Sequence, residues 1–348
     1  MTAPQRMPAL ARTTVQVPVR GGAAHWSYGT AIVGRPGTTE VLFTLPSAAS
    51  RTPWARLDLA SGELGSGTGM PGPLRCVHFP EAGEDPRWWV LGLHGVGRVD
   101  PEDPSAVHDV VRTGVGRYPN RLFSLGATHL AVGTDLSSNV VLLSKASAAP
   151  VGRLRLPKGS TSLTQAEELM RVFAPREGKV YDVDPVRLKV ARRHTIPCGK
   201  GERLVGETLF YLAGEITPIR VLAPGEAPQP GVPVVLGHGA GTTVGSTVVP
   251  RELVSVNVHT LQLTGIGPHG SLPVPANAVE VLGVDREERV VVSTRDGFIL
   301  VDPRSGAVLA QHVEPGGLVG AGMAHGSNTV VLATATSKPL GALALVSW

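Results

Sequence analysis

A chain of 348 residues with 43 Gly, 30 Pro and 17% charged side chains is rich in turn formers and poor in helix formers. That composition excludes a helical bundle and a disordered tail, and points to many short strands. The net charge of +4 comes from scattered basic residues, so neither nucleic acid nor an anionic membrane is expected as a partner. Cys76 and Cys198 show no Cys-x-x-Cys spacing and cannot form a disulfide framework.

Only six of the basic residues are Lys, a bias that with the Ala, Gly and Pro content fits a GC-rich bacterial genome. Residues 1–11 read as a tail without the apolar stretch of a signal peptide, and no later run is long enough to span a membrane. A cytoplasmic protein is expected, with residues 12–348 as its one domain.

The first β segment, Thr14-Val15-Gln16-Val17-Pro18-Val19, stands alone. After it comes a unit of about forty residues, with Ala31-Ile32-Val33, Val41-Leu42-Phe43 and Ala55-Arg56-Leu57-Asp58-Leu59 as strands and Ala60-Ser61-Gly62-Glu63 as the last turn. Residues 74–113 and 121–156 repeat the pattern. A weaker fourth unit carries Val172-Phe173-Ala174 and Val180 to Val183. The fifth is read from Leu209 to Leu212, Ile219 to Leu222 and Val234 to Leu236, and the sixth from Leu253 to Val256 and Thr260 to Leu263. The seventh is the clearest, with four strands between Val279 and His312. An eighth begins at Leu318 and stops after a third strand, Ala342 to Ser347.

An Asp ending the third strand precedes a tight turn, as Asp58…Ser61-Gly62 and Asp302…Ser305-Gly306, with looser forms at Asp100 and Asp184. An Asp there caps the turn through its side chain, and Gly supplies positive φ. These repeats resemble the YVTN and PQQ-like β-propeller superfamily and lack the Trp-Asp dipeptide of WD40 blades. The resemblance implies an all-β fold, a single closed propeller of eight four-stranded blades, or seven if the fourth unit is an insertion. The lone N-terminal strand, Thr14 to Val19, would pair beside Ala342 to Ser347 to complete the last blade. Pro18 suits such an edge. The architecture implies no particular activity.

In a propeller, the blade-to-blade loops and the second-to-third-strand loops share one face, where ligands usually bind. Four of the eleven His map there: His25, His94, His238 and His259. Convergent imidazoles could hold a divalent metal, with His238 and His259 as the nearest pair, or could supply an acid and a base. No His-x-His or His-Glu-x-x-His spacing supports this, and Gly-His-Gly is also an ordinary turn sequence. Lys158, Lys200, Cys198, Asp135, Arg295, Asp296 and Glu314 map to the same face. Cys198 could be a thiolate activated by Lys200 or an inert thiol. Arg295-Asp296 before Gly297 reads as a hairpin turn. The glycines of Gly237 to Gly245 lack the Lys of a phosphate loop. In the Trp88-Trp89 pair, blade packing accounts for one ring and leaves the other free to be exposed.

Three functions are compatible with this reading. One is a scaffold binding a protein or small-molecule partner across that face. Another is a lyase, cyclase, isomerase or hydrolase of bacterial secondary metabolism working at the channel mouth with the loop His, with or without a metal. The last is a ligand sensor without chemistry.

Overall fold

The computed structural model describes residues 9–18, 31–46, 52–80, 84–113, 121–125, 127–134, 137–155, 163–166, 169–174, 179–184, 187–195, 199–205, 208–213, 218–219, 234–235, 251–257, 271–274, 277–302, 307–324, 326–334 and 341–348. Their strands form seven four-stranded antiparallel sheets and one two-stranded ribbon. The first blade is Ile32–Gly34, Glu40–Thr44, Thr52–Asp58 and Leu64–Met70. The second is Leu74–His78, Trp88–Gly92, Gly95–Val99 and Val107–Val111. The third is Arg121–Leu125, His129–Thr134, Ser137–Ser144 and Pro150–Arg155. The fourth is Leu163–Ala166, Leu169–Ala174, Lys179–Asp184 and Lys189–Thr195. The fifth is Gly199–Val205, Thr208–Ala213, Arg251–Asn257 and Ser271–Val274. The sixth is Ala278–Val284, Val290–Thr294, Gly297–Val301 and Val308–Val313.

The seventh sheet takes three strands from one end of the chain, Leu318–Met323, Thr329–Thr334 and Ala342–Ser347, and its outer strand, Ala11–Gln16, from the other. The expected partner strand is therefore found, but three residues earlier than Thr14 to Val19. Ala11 pairs with Ser347 and Gln16 with Ala342, and the Val17 amide still donates to the Gly341 carbonyl. Pro18 has no N–H to continue the ladder. The shift moves Ala11 out of the expected tail, and Leu10 packs on the core.

The eight expected units become seven sheets because the fifth and sixth are one blade. Thr208–Ala213 pairs directly with Arg251–Asn257, and Pro218–Ile219 pairs with Val234–Val235 in a separate ribbon within the second-to-third-strand connection. The weak fourth unit is a full four-stranded sheet.

The apolar runs are explained by where the core lies. It is a series of seams between blades, so an inner or middle strand is buried on both faces and reads as a continuous apolar run, not an alternating one. Trp88 and Val90 pack with Val33, Leu42, Trp54 and Met70 of the first blade. Trp89 and Leu91 pack with Leu122, Leu130, Val132 and Leu143 of the third. Both rings of the Trp pair are thus buried, contrary to the expected exposed one, at 3% and 4% exposure. Each also carries a guanidinium, Arg35 over Trp88 at 4.8 Å and Arg98 over Trp89 at 5.2 Å.

The Asp-capped turn takes the expected form. Asp58 accepts from the Ala60 amide at 3.0 Å, the Ser61 hydroxyl at 2.8 Å and the Thr39 hydroxyl at 2.5 Å, while Gly62 has φ of 74°. Those donors, led by Thr39, hold its pKa down to about 2. Asp100 and Asp184 accept from the amides of Glu102 and Arg187 in the same role. Ser305 and Gly306 lie outside the described residues.

Where the two chain ends meet, the inner strands of the seventh and first blades touch backbone to backbone. A Cβ at Gly322 would lie 2.0 Å from the Ile32 carbonyl oxygen, and one at Gly34 would lie 2.2 Å from that of Met323. The seventh blade is also tied to the sixth by side chains. Arg12 donates to both Glu314 oxygens at 3.0 and 2.6 Å, and the Trp348 indole N–H donates to Asp285 at 3.0 Å.

Candidate functional site

The loops expected to share a face are joined by hydrogen bonds wherever they are described. In the second blade the two-residue turn Leu93-His94 donates its amides to the carbonyls of Pro73 and Pro71, in the loop arriving from the first blade. Gly72, at φ of 87°, lets this loop pass under the imidazole. In the sixth blade the Arg295 amide donates to Asn277, while Arg295 and Asp296 accept from the amides of Leu318 and Glu314. The turn at one end of a blade is thereby fixed to the loops entering and leaving it.

On this rim His94 and Arg295 are exposed. Asp296 accepts from Asn277 Nδ2 and Thr294 Oγ1, both at 3.0 Å, so it shapes the turn, as the hairpin reading expects. Glu314 is only 5% exposed and holds Arg12 and His312, the latter at 3.1 Å. Its place is structural, between two blades, and the Arg12 guanidinium keeps its carboxyl below the usual range. His25, His238, Lys158, Asp135 and Cys198 lie outside the described residues, as does His259, and Lys200 is described in its backbone alone.

The strand order does bear on His259. Residues 258–270 connect the third and fourth strands of the fifth blade, whereas residues 214–250, which include His238, connect its second and third. His238 and His259 therefore belong to different connections of the same blade. Among the described residues no group of three or more His, Cys, Asp or Glu is placed to hold a metal ion.

The opposite end of the blades carries a polar cluster that sequence reasoning missed. It lies between the second and third blades. Lys145 Nζ, in the turn after the third strand of the third blade, donates to Glu84 Oε1 at 2.5 Å and to Ser124 Oγ at 2.6 Å. Ser124 donates to the same carboxylate oxygen at 3.0 Å, and His78 Nε2 lies 3.5 Å from Glu84 Oε2. The side chains of Lys145, Glu84 and His78 are 9%, 15% and 14% exposed. Next to them Arg98 donates to the Lys145 carbonyl at 3.2 Å and pairs with Asp109 at 2.6 Å. Asp109 takes a φ of 49°, an uncommon conformation for a residue with a Cβ. The members stand 61 and 21 residues apart, so no local motif could reveal them. The one sequence hint is a Lys closing the apolar run Val140 to Leu143.

No family model matches the chain, and no curated protein matches it. Solved structures do. The Neurospora crassa Pan2 WD40 domain is similar at 11% identity and a TM-score of 0.60, over 99% of this chain and 97% of that one. Hydrazine synthase of Kuenenia stuttgartiensis is similar at 9% identity and 0.59, over 95% and 99%. A catalytically inactive virginiamycin B lyase from Staphylococcus aureus, solved with quinupristin, is similar at 10% identity and 0.56, over 98% and 100%. The chain has the β-propeller fold. No helix among the described residues is long and apolar enough to cross a membrane.

Proposed function

We propose that the seven sheets close into a ring and that the chain is a binding propeller, docking a protein or small-molecule partner on the rim built by the blade-to-blade and second-to-third-strand loops. The observation that carries this reading is the hydrogen bonding of Leu93-His94 and Arg295-Asp296 to their neighbouring loops. A rim fixed in this way presents exposed side chains, His94 and Arg295 among them, without having to order them on binding. The similarity to the Pan2 WD40 domain supports the same reading. Crosslinked pull-downs test it. The same partner is recovered with wild type and with Val151→Glu, on an outer strand, but not with His94→Glu or Arg295→Glu. Equal recovery with all four proteins, or equal loss with Val151→Glu, overturns it.

The similarity to a virginiamycin B lyase, with His94 exposed on the rim, favours a second reading, an enzyme acting through His25, His94, His238 and His259. Stoichiometric divalent metal in the purified protein, lost on His238→Ala, would support its metal-assisted form. A metal-free protein would remove that form.

A further inference from the structure

The cluster between the second and third blades has the parts of a nucleophile with its base. A serine hydroxyl donates to a carboxylate, an imidazole lies near the other oxygen of that carboxylate, and a cation sits beside the reacting oxygen. Ser124 fills the first position, with Glu84 Oε1 at 3.0 Å as its acceptor. His78 flanks the other Glu84 oxygen, and Lys145 Nζ is 2.6 Å from Ser124 Oγ. Ser124 and Glu84 are half-buried, whereas the Lys145 ammonium is almost wholly out of water. Its charge is therefore weakly screened where it faces the serine.

We propose that Ser124 is an acyl-accepting nucleophile for small activated esters. Ser124 Oγ attacks the ester carbonyl carbon while its proton passes to Glu84. The resulting oxyanion forms beside the Lys145 ammonium, which stabilises it. The intermediate collapses with breakage of the bond to the alcohol, and the alcohol leaves with the proton from Glu84. Water then attacks the acyl-serine and gives a proton to Glu84. Cleavage returns that proton to Ser124 Oγ and releases the carboxylic acid, so one ester and one water become one acid and one alcohol. This activity would stand at the opposite end of the blades from the binding rim.

Diisopropyl fluorophosphate tests the proposal on the full chain. Ser124 Oγ forms a bond to phosphorus, fluoride leaves, and the serine proton goes to Glu84. Intact-mass measurement and peptide mapping should find one adduct, on Ser124. Ser124→Ala should take none, and the near-isosteric Glu84→Gln should label at least tenfold more slowly. Unfolding midpoints recorded for both variants separate loss of the base from loss of the fold. An unlabelled Ser124 in the wild-type protein, or equal labelling rates in wild type and folded Glu84→Gln, overturns the proposal.

Discussion

Adding one methyl group at Gly322 is the sharpest perturbation available at the joint between the seventh and first blades. The new Cβ would sit 2.0 Å from the Ile32 carbonyl oxygen, 2.7 Å from its carbon and 2.8 Å from its Cβ, where ordinary contact begins at 3.4 Å. Relief requires the two inner strands to separate by about 1.4 Å. Each strand is anchored in its own sheet, so neither can move without its partners. Overpacking of this kind costs about 1–3 kcal/mol, and backbone on both sides argues for about 3. Replacing Gly also stiffens the unfolded chain, which returns about 0.4–1 kcal/mol, leaving a net loss of about 2 kcal/mol. Gly65→Ala is the control. Its Cβ would meet only the tip of the Arg56 side chain, at 3.4 Å, so stability should hold or rise slightly. Urea denaturation measures both, as a lowered midpoint at unchanged slope for Gly322→Ala. Equal midpoints for the two variants would refute the backbone contact at the joint.

Removing Arg12 strips Glu314, which is 5% exposed, of its two best donors. Arg12→Ala should therefore destabilise by about 1–3 kcal/mol, seen in thermal unfolding at neutral pH. The Glu314 carboxyl is held below its ordinary value by Arg12. Its contribution is thus complete above the unfolded value of about 4.3 and lost as pH falls through the folded one. Wild type should lose more stability than Arg12→Ala on acidification below about pH 4, and parallel acid limbs would contradict the latch. Lys145→Met leaves the half-buried Glu84 carboxylate without its ammonium and should cost about 1–3 kcal/mol by urea denaturation. In Asp58→Ala, amide hydrogen exchange at Ala60 should quicken while the rest of the first blade keeps its protection. NMR titration of wild type should place the Asp58 carboxyl at about 2.

Most of the fold was legible because its signals are local. Turn chemistry such as Asp58…Ser61-Gly62 marks the first, second and fourth blades, and a strand buried on both faces leaves an apolar run. The eight repeat units and the seven described sheets part company where locality ends. In the fifth blade the second and third strands pair across residues 214–250, far longer than the usual connection, and two short β segments inside that stretch imitate blade strands. The Trp pair misled for a related reason. Alternation along Trp88-Trp89 puts one ring inside and one outside in a lone sheet, but in a propeller each blade has a neighbour on either side. Of the expected site, His94, Arg295 and Asp296 occupy the foreseen rim. Glu314 was foreseen there but serves to join two blades. The cluster of Glu84, Ser124 and Lys145 is assembled by packing between blades, and nothing in a linear reading brings those residues together.

The seventh sheet also sets a timetable for synthesis. Arg12 and Glu314 are 302 residues apart, and at about 5–20 residues per second a ribosome takes about 15–60 s to cover that distance. Throughout it, residues 11–16 have been made but lack both the carboxylate that latches them and the strand 342–347 that pairs with them. Early blades can stack as they emerge, yet residues 11–16 find their place only after the strand 342–347 has been made. Any delay in translating residues 314–347 prolongs the exposure of two unpaired sheet edges. Nascent chains stalled in that region should be the most aggregation-prone of all lengths.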